Sequence, residues 1–354
     1  MIWSLAIIGT FIVALFVVDK LLAAPKYDAD SSDHFNGTKF MNPHEEESHH
    51  YGDVLKWWLS GNDKGIWHVK GEQDISQHRP PQREMNNFRI TFVNHATFLL
   101  QFDGLNILTD PVWSRRASPY QWIGPERMRP PGIAFDDLPA IDVVLLSHNH
   151  YDHLDIRTVH ELHERYEPHF VVPLGVEKFM HKHNITATTH LDWWDQTKVN
   201  EKLNLTAVPA QHFSGRGLFD RNQTLWCGYV LHTAHGNLYF AGDSGYGDFF
   251  KEIGNKFGPM QASLIPIGAY KPRWFMRAIH MSPEEAVQAH RDVQSKRSIA
   301  MHYGTFPMAD DGMHEPITDL EKARASLDIS EHEFYVAEEG DPQIFTPHQS
   351  ADVA

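Results

Sequence analysis

Cysteine is nearly absent from this chain of 354 residues, in which Cys227 is the single example. An intrachain disulfide is therefore impossible, and so is a zinc site built from several thiolates. Any metal site in this protein has to use imidazole and carboxylate ligands. The supply of imidazole is large, since the sequence contains 25 histidines.

An excess of positive charge is also absent. Lysine and arginine total 31 against 46 aspartates and glutamates, which gives a formal net charge of −15. A protein that binds nucleic acid needs a basic face to neutralise phosphates, so we expect no nucleic-acid partner. Hydrophobic residues make up 42% of the chain, which is typical of a globular protein with a large buried core.

Long uncharged apolar runs are lacking outside the N-terminal segment, residues 1–24. The run from Ile2 to Val18 contains no charged side chain, and Asp19 and Lys20 follow it. As a helix it would span about 25 Å, close to the lower limit for crossing a bilayer. We therefore predict a hydrophobic N-terminal helix that acts as a single membrane anchor, on an undetermined side of the membrane. A cleaved signal peptide is the alternative, although no Lys or Arg precedes the run and no clear A-x-A site follows it.

Two further segments follow the apolar run. Residues 25–87 are polar and interrupted by prolines, which predicts an arm or a linker. Residues 88–345 mix strand-like and helix-like patterns, which predicts one α/β domain of layered sheets and helices. Within this domain, an Asp-Gly turn at 103–104 indicates a β-hairpin, and Ser282 with Glu285 indicates a capping box at a helix start.

The segment LLSHNHYDHLD, residues 145–155, crowds histidine and aspartate together at the end of an apolar run. A solvated polar loop is one interpretation, and half of a metal site is the other. In the second interpretation His148 and His150 reach one ion, whereas Asp152 and His153 reach a second ion nearby. The choice depends on whether further ligands exist elsewhere in the chain.

Three further apolar runs each end in a residue that can bind a metal, namely His212, Asp243 and His302. Strand ends can meet in one cleft, so these residues would complete a dinuclear site with the first four. The predicted ligands are His148, His150 and His212 for one ion, Asp152, His153 and His302 for the other, and Asp243 as the bridge. This donor set suits two zinc ions, and iron or manganese would also be compatible.

The H-x-H-x-D-H motif with downstream His, Asp and His resembles the metallo-β-lactamase fold superfamily. That resemblance implies an αββα four-layer sandwich, here preceded by the N-terminal hydrophobic helix. Longer segments, among them PAQHFSGR, FAGDSGYGDFFKEIGNKFGP and residues 265–306, closely resemble N-acyl-phosphatidylethanolamine-hydrolysing phospholipase D. This second resemblance extends from about Phe88 to Tyr335.

The resemblance implies a zinc-dependent phospholipase D that converts N-acyl-phosphatidylethanolamine to phosphatidic acid and an N-acylethanolamine. A hydroxide between the two ions would attack phosphorus, with Asp243 bridging the ions and Asp152 holding the proton of the nucleophile. His280 matches a histidine that the family places at its active site, although it could instead bond to the start of the following helix. The alternative function is that of another dinuclear hydrolase of this fold, a phosphodiesterase or lactonase with a small polar substrate.

Five residues are candidates for binding the substrate. Tyr120 and Gln121 lie in a stretch that matches the family, and Tyr151 lies inside the metal-binding motif. Arg273 and Trp274 combine a cation with an aromatic ring, as is typical of a rim that contacts lipid headgroups. We therefore expect a phospholipid substrate and a membrane surface as partners, and the resemblance implies a homodimer.

Overall fold

The computed structural model describes residues 16–43, 51–60, 64–69, 71 and 79–345. Two seven-stranded sheets form the centre of the described chain. In spatial order, the first sheet contains β14 (Pro342–Phe345), β1 (Phe88–Asn94), β2 (Thr97–Phe102), β3 (Leu105–Thr109), β4 (Val143–Leu145), β5 (His169–Pro173) and β6 (Thr188–Leu191). The second contains β13 (Phe334–Tyr335), β12 (Ser298–Met301), β11 (Met260–Pro266), β10 (Gly236–Phe240), β9 (Gly228–Thr233), β8 (Leu203–Val208) and β7 (Gln196–Asn200).

Helices cover the outer faces of both sheets. Besides the helical residues 16–22, the described helices are α1 (Tyr51–Leu59), α2 (Ile156–Tyr166), α3 (Val176–Lys182), α4 (Phe249–Phe257), α5 (Arg273–Met276), α6 (Pro283–Asp292) and α7 (Glu315–Leu327), with a 3-10 turn at Phe135–Asp137. Helices α2 and α3 pack on the first sheet, and α4, α6 and α7 pack on the second. The predicted αββα sandwich is confirmed.

The period-two pattern of the strands explains why the sheets stack. In β2, Phe98 and Leu100 point into the cluster shared by the two sheets, whereas Leu99 points to the cluster beneath the helices. The alternation repeats in β4, where Val143 points into the cluster shared by the two sheets and Val144 points to the cluster beneath the helices. Apolar residues on both faces bury β4 completely, as its continuous apolar run predicts, and β2 is also completely buried.

The predicted membrane anchor is contradicted. Among the residues that the structure describes, no helix is long and apolar enough to cross a membrane. Residues 1–15, which carry most of the apolar run, lie outside the described residues, and residues 16–22 are helical. Asp19 in this helix is buried and accepts hydrogen bonds from the backbone N–H groups of Leu218 and Phe219. These helical residues therefore dock on the protein through a carboxylate. The predicted membrane localisation, which depended on the anchor, is wrong as well.

The described parts of the predicted polar arm pack against the sandwich. Phe35 and Phe40 are buried in a cluster with Trp226. The side-chain oxygen of Asn42 accepts hydrogen bonds from the Trp226 indole, at 3.0 Å, and from the backbone N–H of His212, at 2.9 Å. The arm thus reaches one of the predicted metal ligands, which a free linker would not do.

Candidate metal centre

The sandwich gathers the seven predicted ligands at one edge. His148, Asp243 and His302 follow the carboxyl ends of β4, β10 and β12, and His212 follows β8. Gly242 makes the turn before Asp243 possible: its φ is +61°, and a Cβ there would lie 2.7 Å from the Cβ of Ser147. The strand-end argument made from sequence therefore describes the observed arrangement.

The first predicted triad has the geometry of a metal site. Nε2 of His148 lies 2.8 Å from Nδ1 of His150, which lies 3.2 Å from Nε2 of His212. Bonds of tetrahedral zinc place neighbouring donor atoms about 3.3 Å apart. The three nitrogens can therefore share one ion without a large rearrangement.

The second triad lies beside the first, with the predicted bridge between them. Oδ2 of Asp152 lies 3.2 Å from Nε2 of His153 and 3.3 Å from Nε2 of His302. Oδ2 of Asp243 lies 3.1 Å and 3.0 Å from the same two nitrogens, and 3.7 Å from Nε2 of His212 in the first triad. This oxygen adjoins both triads, as a bridging carboxylate must.

The buried polar atoms of the cluster that have no hydrogen-bond partner could bind divalent cations. Nε2 of His153 and Oδ1 of Asp243 are buried and have no hydrogen-bond partner among the described residues. Burial lowers the pKa of His150 and His212 to about 3, so both are neutral imidazoles with a lone pair for a cation. Burial raises the pKa of Asp243, but the positive charges of His153 and His302 outweigh it and hold that pKa well below its usual range.

Two residues of the centre were not predicted from the sequence. Asp110 follows the end of β3 and accepts hydrogen bonds from Nδ1 of His153, at 2.6 Å, and from the hydroxyl of Ser147, also at 2.6 Å. His95, in the β1–β2 turn, places Nε2 2.9 Å from Oδ2 of Asp152. A strand-end aspartate in ILTDP was a signal for Asp110, whereas nothing local distinguishes His95.

A cavity of about 340 Å³ opens onto the centre. Four predicted ligands line it, namely His150, Asp152, His212 and Asp243. Much of the remaining wall is apolar and comes from α1, α5 and the loops next to them: Val54, Trp57, Phe213, Phe275, Met276, Ile279 and Met308. Trp57 stacks on Phe275 at 5.1 Å, so the arm and the sandwich build this wall together.

His280 also lines the cavity. Its ring centre lies 5.1 Å from that of His212 and 5.2 Å from that of His302. Nδ1 of His280 is buried and has no hydrogen-bond partner among the described residues, so the side chain does not cap the following helix. That helix is capped by Ser282 and Glu285, as predicted. Burial lowers the pKa of His280 well below its ordinary value, so the ring is neutral.

The predicted substrate-binding residues do not line the described cavity. Gln121 bonds to the backbone of Arg116, and Tyr120 is exposed beside it. The hydroxyl of Tyr151 donates to the carbonyl of Arg216. Contact between these side chains and a substrate stays a prediction.

The predicted headgroup rim lies next to the cavity wall. Arg273 donates to the carbonyl of His280, at 2.8 Å, and to the carboxylate of Glu285. Trp274 is 45% exposed, with the ammonium of Lys56 over its ring. Arg273 therefore supports the backbone of His280, and a role in binding lipid stays a prediction for both residues.

Residues 105–303 match the Beta-lactamase superfamily domain family. The chain belongs to this family. It is thus a metal-dependent hydrolase of the metallo-β-lactamase superfamily, and the geometry of the triads agrees with that membership.

Relatives within the superfamily include phospholipases. The chain is 41% identical over 230 residues to an N-acyl-phosphatidylethanolamine-hydrolyzing phospholipase D of Caenorhabditis elegans, a match that covers 62% of this chain and 64% of the relative. It is 35% identical over 238 residues to the mitochondrial enzyme of that description from Saccharomyces cerevisiae, covering 65% of this chain and 50% of the relative. The match thus spans less than two thirds of each of these relatives. The resemblance to this phospholipase family, predicted from sequence, is confirmed as homology.

Among solved structures, the fold is similar to that of Igni18, a metallo hydrolase from Ignicoccus hospitalis. The TM-score is 0.56, with 21% identity, and the match covers 73% of this chain and 98% of the other. At this identity the similarity shows the fold alone.

Proposed function

We propose that this protein is a phospholipase D that hydrolyses N-acyl-phosphatidylethanolamine to phosphatidic acid and an N-acylethanolamine. The observation that carries the proposal is the cavity, which joins the two ligand triads to an apolar wall that includes Trp57, Phe275 and Ile279. Homology to phospholipases described as acting on this lipid supports the same substrate.

The two triads and Asp243 would hold a pair of divalent ions, with zinc proposed as the resident metal. Two such ions supply a nucleophile near neutral pH and stabilise the negative charge that gathers on a phosphoryl group. The protein's own residues orient these donors. His148 donates from Nδ1 to the hydroxyl of Ser147, at 2.9 Å, and that hydroxyl donates to Asp110, which leaves Nε2 of His148 for an ion.

Asp152 and His280 complete the proposed chemistry at the cavity surface. Asp152 is fixed by His95, so that one carboxylate oxygen stays directed at His153 and His302. His280 is neutral and can donate one N–H bond to the oxygen of the departing ethanolamide, where charge develops as the P–O bond breaks. A neutral donor of this kind stabilises the alkoxide without first losing its own proton.

The apolar wall would give the lipid a surface to contact. Burying apolar surface stabilises a complex by about 25 cal/mol per Å². A small polar substrate would gain little from Trp57, Phe275 and Ile279. The wall therefore favours a lipid over the small polar substrate of the alternative function.

The test is incubation of the zinc-loaded protein with vesicles containing N-acyl-phosphatidylethanolamine, followed by mass spectrometry of the lipids. We expect phosphatidic acid and N-acylethanolamine in equal amounts. Asp243→Asn should abolish both products, whereas Asp248→Asn, at an exposed carboxylate just before α4, should not. Intact lipid with the wild-type protein, or full turnover by Asp243→Asn, would refute the proposal. The homodimer stays a prediction, which light scattering of the same sample checks.

A further inference from the structure

A second and much smaller cavity, of about 10 Å³, lies beside the metal centre. His302, a ligand of the second triad, lines it together with His95, whose Nε2 lies 2.9 Å from Oδ2 of Asp152. The ring centres of the two histidines are 4.1 Å apart. A single buried water molecule needs about 10–15 Å³ of such space, so the cavity has the size of one water.

Each of these histidines has one buried ring nitrogen without a hydrogen-bond partner among the described residues, and in both rings it is Nδ1. A cation on Nε2 of His302, beside Asp152 and Asp243, leaves the proton on Nδ1, which then needs an acceptor. Burial lowers the pKa of His95 to about 3, so its ring is neutral. Its Nε2 donates to Asp152, and its Nδ1 is therefore left with a lone pair that needs a donor.

Asp311 supplies a third polar group at this cavity. Its carboxylate accepts hydrogen bonds from the backbone N–H groups of Ala269, at 3.1 Å, and Lys271, at 3.4 Å, and Ala269 also lines the cavity. Burial raises the pKa of Asp311, and a charge on His302 opposes that rise, which indicates that the carboxylate lies near the His302 ring. A carboxylate offers about four lone-pair positions, so two backbone bonds leave it able to accept another.

The arm covers these groups. The indole N–H of Trp67 donates to the backbone carbonyl of Asp311, at 3.0 Å, and Trp67 lines the cavity together with Phe306. His95, His302 and Asp311 are each no more than 4% exposed. Buried polar groups of this kind need partners inside the protein, because bulk water is too far away to satisfy them.

The chemistry of the three groups indicates what the cavity can bind. Nδ1 of His302 is a donor, whereas Nδ1 of His95 and the carboxylate of Asp311 are acceptors. A metal ion would face the proton of His302, and an anion such as phosphate would be too large for about 10 Å³ and would face a carboxylate. A water molecule accepts one hydrogen bond and donates two, which matches the three groups.

We propose that this cavity binds one water molecule, which accepts a hydrogen bond from Nδ1 of His302 and donates to Nδ1 of His95 and to the carboxylate of Asp311. Asp311 is thereby a positioning residue for the second triad. The water connects His302 to Asp152 through His95, so two ligands of one ion are oriented together. This inference concerns the binding of the ion and does not depend on which substrate the site accepts.

A crystal structure of the zinc-loaded wild-type protein, at a resolution that shows ordered water, tests the proposal. We expect an electron-density peak in the cavity within about 2.7–3.2 Å of Nδ1 of His302, Nδ1 of His95 and one carboxylate oxygen of Asp311. A cavity without such a peak, or a peak that does not contact Asp311, would overturn the proposal. This measurement needs no variant, so it decides the question even if substitutions of Asp311 do not fold.

Zinc binding to the metal-free protein, in competition with a chromophoric chelator, tests the positioning role. Asp311→Asn replaces one acceptor oxygen by an amide donor and should lower the affinity of the second triad for its ion about tenfold, with the first ion unaffected. Anomalous diffraction at the zinc edge, from crystals grown at limiting zinc, identifies the triad that loses its ion. Neither measurement requires turnover, so failure of the phospholipase proposal would leave this inference standing.

Lys271→Gln is the matched control. It removes the ion pair between Lys271 and Glu315, which joins the same two chain segments, but it keeps the backbone N–H that donates to Asp311. We expect wild-type affinity for both ions in this variant. Unchanged zinc affinity in Asp311→Asn, equal weakening of both ions, or the same loss in Lys271→Gln would refute the positioning role. A wild-type protein that binds a single zinc ion would refute the second triad, and this inference with it.

Discussion

Oδ2 of Asp110 lies 2.6 Å from Nδ1 of His153, and both side chains are completely buried. The carboxylate accepts the Nδ1 proton, so that in the metal-loaded protein Nε2 of His153, which lies beside Asp152 and Asp243, is left for an ion. Through the hydroxyl of Ser147 the same carboxylate also orients His148. One buried aspartate therefore sets the donor atom of a ligand in each triad.

Replacing Asp110 by Asn should weaken metal binding without unfolding the protein. Loss of a carboxylate that orients a ligand histidine lowers metal affinity by about 10- to 100-fold. Competition with a chromophoric zinc chelator measures that affinity. Asp136→Asn, at a side chain that is 88% exposed, is the matched control. Equal zinc affinity in the Asp110→Asn and control proteins would show that Asp110 does not orient the ligands.

Replacing His280 by Ala should lower kcat and leave the metal content unchanged. Its neutral ring faces the cavity but belongs to neither triad, so its loss removes a hydrogen-bond donor and no ligand. A positioned donor to a developing oxyanion contributes about 10²- to 10³-fold to kcat. Single-turnover kinetics and metal analysis of the variant check both parts. His280→Gln, which keeps an N–H donor, should recover part of the rate, and an unchanged kcat in His280→Ala would assign this residue a structural role.

Arg216 should stabilise the segment that carries three ligands. Its guanidinium donates to the carbonyl of Asn149, at 2.8 Å, and to that of Leu154, at 2.9 Å. It also lies over the rings of Tyr151 and Phe179, at 4.0 Å and 4.6 Å. Hydrogen bonds from a charged donor contribute about 1.5–3 kcal/mol each, so Arg216→Ala should lower the free energy of unfolding by roughly 3 kcal/mol.

Urea denaturation of the metal-loaded protein measures this loss, with Arg157→Ala on the exposed face of α2 as the control. Arg216→Lys can reach one of the two carbonyls and should lie between the wild type and Arg216→Ala. A free energy of unfolding in Arg216→Ala equal to that of the control would contradict the role given to Arg216.

The docked arm should make stability depend on pH through His34. Burial lowers the pKa of His34, but hydrogen bonds to Asp192 and Asp33 outweigh it, and the pKa lies above its ordinary value of 6.5. A raised histidine pKa contributes stability that is fully present below about pH 6.5 and is lost as the pH rises through the folded-state pKa. His34→Gln should therefore destabilise the protein at about pH 6 more than at about pH 9, as judged by denaturation at both values. Equal destabilisation at the two values would show that the charge of His34 does not hold the arm.

Much of the centre was predictable because it depends on local patterns. Each ligand follows an apolar strand, and parallel strands bring their carboxyl ends to one edge, so His212, Asp243 and His302 could be assigned from sequence. The role of Asp155, the last residue of the segment 145–155, could also be predicted from local sequence. Asp155 accepts from the backbone N–H of Arg157 and caps α2, in agreement with a structural rather than a ligand role.

The features that the sequence did not predict, or predicted wrongly, depend on contacts between segments that are distant in the chain. His95 approaches Asp152 across 57 residues, and Asn42 approaches His212 across 170, so neither pairing leaves a local signal. The apolar run at the N-terminus predicted a bilayer span because hydropathy cannot detect that Asp19 is buried against residues 217–219.

The most direct measurement is hydrolysis of N-acyl-phosphatidylethanolamine in ¹⁸O-labelled water, followed by mass spectrometry of both products. Attack on phosphorus at the centre formed by the two triads and Asp243 forms a bond from the water oxygen to phosphorus and breaks the bond to the ethanolamide oxygen. We predict phosphatidic acid that carries one ¹⁸O atom and N-acylethanolamine that carries none. Label in the N-acylethanolamine, or recovery of the intact lipid, would contradict this account.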